Sequence, residues 1–132
     1  MNTTITLTDQ DKATLRTAAY GAVSLIAAAG APHKAVSHGS VALTSATGLV
    51  GHVLSTKSRD IRLPGKTVAE LADTVLPSLT AAMAVLAAYP GEAANFRDTV
   101  LVAIDAATRP AKGAARPAVT AMAAKITGAL DA

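Results

Sequence analysis

The chain reads as all-α, an up-and-down bundle of about five helices, alanine-rich and close-packed. Three features point that way. Apolar residues recur three and four positions apart through the segments that glycine and proline bound. Residues suited to open a helix stand at Thr8, Thr67 and Pro117. The links between segments are short, which makes consecutive helices antiparallel neighbours. A length of 132 residues suits a single domain. That domain is expected to span residues 1–132, with 1–7 as an extended or mobile N-terminal stretch.

The first helix is expected to follow Thr8 or Asp9 and run to about Ala29, stopped by Gly30 and Pro32. Leu15, Ala18, Ala22, Ile26 and Ala29 form its apolar stripe, with Lys12 and Arg16 outside. The second is expected from about His33 to Ser55. Val36, Leu43 and Val50 fall on one heptad line, and Gly39, Ala46 and Val53 on the next. Ser40, Thr44 and Gly48 form a ridge of small residues that lets another helix approach. The rival reading of this stretch is strand, turn, strand.

Thr67 and Glu70 make a capping-box pattern for the third helix, which carries Leu71, Val75, Leu79, Ala82 and Leu86 inward. Pro77 removes a hydrogen bond to the Asp73 carbonyl, so a kink or a restart near Leu76 is expected. Tyr89, Pro90 and Gly91 close it. The fourth helix runs from about Glu92 to Thr108, and its "TVLVAI" run marks it as the central one. Asp98 and Asp105 share a face there, with Arg97 and Arg109 as partners. Pro117 opens the fifth helix, whose stripe is Val119, Met122, Ile126 and Leu130, with Lys125 outside.

Composition excludes much chemistry. With no cysteine, disulfides, thiolate nucleophiles and iron–sulfur clusters are absent. Nearly half of the 51% apolar fraction is alanine, and aromatics are 2%. Alanine buries little area, so such a core gains from close backbone approach and from association with a second copy. The opening residues show no basic segment followed by an apolar one, and a cytoplasmic location is expected.

Residues 36–54 carry no Lys, Arg, Asp or Glu over 19 positions, long enough for a membrane span. Their glycine, serine, threonine and histidine content argues against one, and the stretch is expected to be the innermost rod of the bundle. On that rod His38 and His52 lie roughly 21 Å apart and cannot share a metal ion within one copy. No metal site and no cofactor are expected. Ser37 and His38 are neighbours and do not face each other on a helix, and "GxSxG" does not occur. "LPGKT" ends like a phosphate loop, but Asp60 stands where its first glycine belongs.

One constellation remains. Alternating helices would gather Lys57, Arg59, Arg62, Lys66, Arg109, Lys112 and Arg116 at one end, seven of the twelve Lys and Arg residues. Asp60, Glu70, Asp73, Asp9 and Asp11 would partly cancel them. Such an end could bind an acidic or phosphate-bearing partner, or nucleic acid. Its lack of aromatics disfavours single strands, and solvated loops explain it more simply. The expected function is therefore a small soluble interaction or regulatory module without catalytic activity, a homodimer with no membrane span. The alternatives are anion binding at the basic end, and an enzyme with a pocket between helices that uses His38 or His52.

Overall fold

The computed structural model describes residues 7–30, 33–55, 67–108 and 117–132. Among these it has six helices: α1 (Asp9–Ala28), α2 (His33–Thr44), α3 (Gly48–Ser55), α4 (Val68–Leu86), α5 (Glu92–Thr108) and α6 (Pro117–Asp131). The protein is an all-helical bundle, packed most extensively where α1 meets α4 and α2 meets α5.

Local rules set most of the ends. Thr8 Oγ1 accepts from the Asp11 amide at 3.0 Å, and the Thr8 amide donates to Asp11 Oδ2 at 3.2 Å, closing a reciprocal cap on α1. Thr67 Oγ1 accepts from the Glu70 amide at 3.1 Å and opens α4. That helix is continuous through Pro77, with no restart at Leu76, and Pro77 lies on its exposed side. Val75, Leu79, Ala82 and Leu86 point into the core, while Leu71 is half-buried. In α6 the stripe of Val119, Met122, Ile126 and Leu130 is buried as expected.

The second expected helix is two. After Thr44 the chain turns, and Gly48 takes a φ of 72°, a left-handed conformation that costs other residues roughly 1–2 kcal/mol. Thr44 Oγ1 and Ser45 Oγ both donate to the Val41 carbonyl, occupying an acceptor at the helix end. Distant side chains then fix the turn. Asn95 Nδ2 donates to the Thr47 carbonyl at 2.9 Å, and Glu92 Oε1 accepts from the Val50 amide at 3.2 Å.

The innermost rod is α1, not residues 36–54 and not α5. Every α1 residue from Leu15 to Ile26 is buried except Tyr20 and Ser24. By contrast Ser37, His38, Val41, Thr44, Ser45, Thr47, Gly48 and His52 are exposed, and so is Val102 on α5. Arg16, expected outside, is 6% exposed. Its Nε donates to the Val53 carbonyl at 3.1 Å, because α3 lays its last turn across that flank of α1. One helix turn further on, Tyr20 donates its hydroxyl to the Leu54 carbonyl at 2.6 Å. Burial pushes the Tyr20 phenol above its ordinary range, partly offset by the charge of Arg16.

The contacts also fix directions. Arg97 near the start of α5 meets Asp131 at the end of α6, so these two helices are antiparallel. Thr80 Oγ1 of α4 donates to the Ala129 carbonyl of α6 at 2.8 Å. Together these put the starts of α4 and α6 at the end of the bundle where α5 finishes. The start of α1 lies at the other end, since Gly39 of α2 packs against both Val23, late in α1, and Ala103 and Ala107, late in α5.

Candidate functional site on the outer face of α2 and α5

The close approach of α2 to α5 is made by Gly39 rather than by Ser40, Thr44 and Gly48. Of that expected ridge, Thr44 and Gly48 are exposed and Ser40 is only half-buried. A methyl group on Gly39 would sit 2.8 Å from the Ala103 carbonyl oxygen and 3.0 Å from Ala107 Cβ. The missing side chain is what allows the two backbones to meet.

Outside this seam an open groove of about 230 Å³ runs between the helices, lined by Ala42, Ser45, Ala46, Asp98, Thr99 and Val102. Val102 in this lining and Val41 elsewhere on α2 are 60% and 62% exposed, the large hydrophobic side chains left most open among the described residues. Asp98 and Asp105 share the outer face of α5 with Val102, as their spacing predicts. Arg97 does not pair with them. It turns to Asp131 of α6, with N–O distances of 2.7 and 3.2 Å, because its position faces α6 rather than solvent. That hydrogen-bonded ion pair raises the Arg97 pKa and lowers that of Asp131.

The seven cations singled out by the sequence, Lys57, Arg59, Arg62, Lys66, Arg109, Lys112 and Arg116, lie outside the described residues, as does the "LPGK" part of the loop. The helix starts at Val68 and Pro117 do share one end with Thr108. Asp9 and Asp11 stand at the opposite end, since the extra helix α3 reverses the expected order.

His38 and His52 are exposed on α2 and α3, and neither lines the groove. Among the described residues no group of three or more His, Asp or Glu gathers as a metal would require. Also among them, Val68–Leu86 is the one helix long and apolar enough to cross a membrane, with a mean hydropathy of 1.3. The stretch singled out earlier, residues 36–54, is interrupted at Ser45–Thr47. No family model, curated protein or solved structure matches the chain.

Proposed function

We propose that this protein is a small interaction module that works as a symmetric homodimer, joined through the outer face of α2 and α5. The observation that carries the reading is the exposure of two large apolar side chains, Val41 on α2 and Val102 on α5, on the two helices that bound the open groove. Burying them against a second copy removes apolar surface from water at ~25 cal/mol per Å². Charge supports a two-fold arrangement. The stretch from His33 to Ser55 contains no carboxylate, whereas α5 presents Asp98 and Asp105. Laying α2 of each copy over α5 of the other brings His38 toward carboxylates and keeps the aspartates apart. Helices of this length offer on the order of 400 Å² per copy. That is about half of a standard interface, so the dimer is reversible.

Light scattering across about 1 µM to 1 mM tests this. Mass rising toward twice the monomer supports it, with Val102→Glu holding the protein monomeric. A strict monomer throughout removes it. The basic end is a second reading. It is supported by the positive dipole ends of α4 and α6 opening at the end where α5 finishes. Salt-dependent binding of duplex DNA or pyrophosphate supports that reading, and no binding at low ionic strength ends it.

A further inference from the structure

Helix α3 is held in an unusual way. It has eight residues, too few for a stable helix in water without tertiary support. It packs on α1, α2 and α5 and makes no contact with α4 or α6. Both of its ends are tied by side chains from other helices. At the leading end, Asn95 holds the Thr47 carbonyl and Glu92 holds the Val50 amide, both from the first turn of α5. At the trailing end, Arg16 holds the Val53 carbonyl and Tyr20 the Leu54 carbonyl, both from α1. Between these ties Val50, Val53 and Leu54 are fully buried.

We propose that α3 is a latch: a unit that opens and closes across α1 and α5 while the longer helices stay folded. Local opening of this kind follows cooperative units bounded by weak joints. The joint before α3 is the turn at Ser45–Thr47 with its left-handed Gly48. The four ties are side-chain hydrogen bonds, which yield before a helix ladder does. Opening frees the Arg16 and Tyr20 side chains and bares the apolar seat of Val50, Val53 and Leu54. This opening is independent of whether the α2–α5 face joins two copies.

Native-state hydrogen exchange on the full chain reads this directly. The amides of Gly51 to Ser55 are expected to exchange together, at least about tenfold faster than interior amides of α1 and α5. Tyr20→Phe, which deletes one tie, is expected to raise their rate about fivefold and leave α4 and α6 unchanged. Asn95→Ala should act likewise from the other end. Exchange of α3 at the same rate as α1, or acceleration of every helix alike in both variants, overturns the latch. The wild-type comparison stands even if one variant fails to fold.

Discussion

Arg16 follows Leu15 on α1 and is almost wholly buried. Its position beside Leu15 marks a helix face turned to water, and nothing nearby in the chain says otherwise. It is buried because a carbonyl 37 residues away, that of Val53, arrives there needing a donor. Replacing Arg16 by Met keeps the packed stem and leaves that acceptor unsatisfied. The expected loss is about 1–3 kcal/mol, read as a lower urea midpoint with an unchanged slope. Arg97 and Asp131 make a contrasting case, a tie at the surface. The Asp131 pKa in the folded protein lies below its ordinary value, chiefly through its hydrogen bond with Arg97. The pair therefore stabilises the fold above about pH 4 and stops doing so as pH falls through the lower folded value. Melting wild type and Asp131→Asn side by side checks this. The wild type is expected to melt slightly higher at neutral pH, and the gap should close as pH falls below about 4.

At the scale of elements, legibility follows how local the determinants are. The bounds of α5, the start of α6 and the cap of α4 could be read directly, because Thr67, Gly91 and Pro117 act on their own neighbours. The break between α2 and α3 could not. Heptad spacing carries smoothly through Leu43, Val50 and Val53, all three buried, yet the turn is stabilised by Glu92 and Asn95, more than forty residues away. The same distance hid the role of Gly39, which looked like one small residue among many. Gly39→Ala tests that role. Helix propensity favours alanine by about 1 kcal/mol. The Ala103 carbonyl stands where the new methyl must go and belongs to a helix backbone, so overpacking outweighs the gain. A net loss of about 1–2 kcal/mol is expected in denaturant unfolding. A more stable variant would show that α2 and α5 are free to separate.

For the whole molecule, slim side chains decide the arrangement. Ala18, Ala19 and Ala22 let other helices crowd around α1, and Ala103 and Ala107 receive α2. The sequence pattern placed Ala18 and Ala22 on an inward stripe but did not show which helix would be central, since centrality depends on how many neighbours a helix gathers. An apolar run such as "TVLVAI" marks a burial candidate, yet Val102 ends on the outside. That leftover valine, with Val41, is what the proposed function rests on. Methyl NMR on the valine-labelled protein across a dilution series tests it most directly. Concentration-dependent shifts are expected at Val41 and Val102, with Val75 and Val119 unmoved. Shifts absent from both, or confined to α4 and α6, would contradict it.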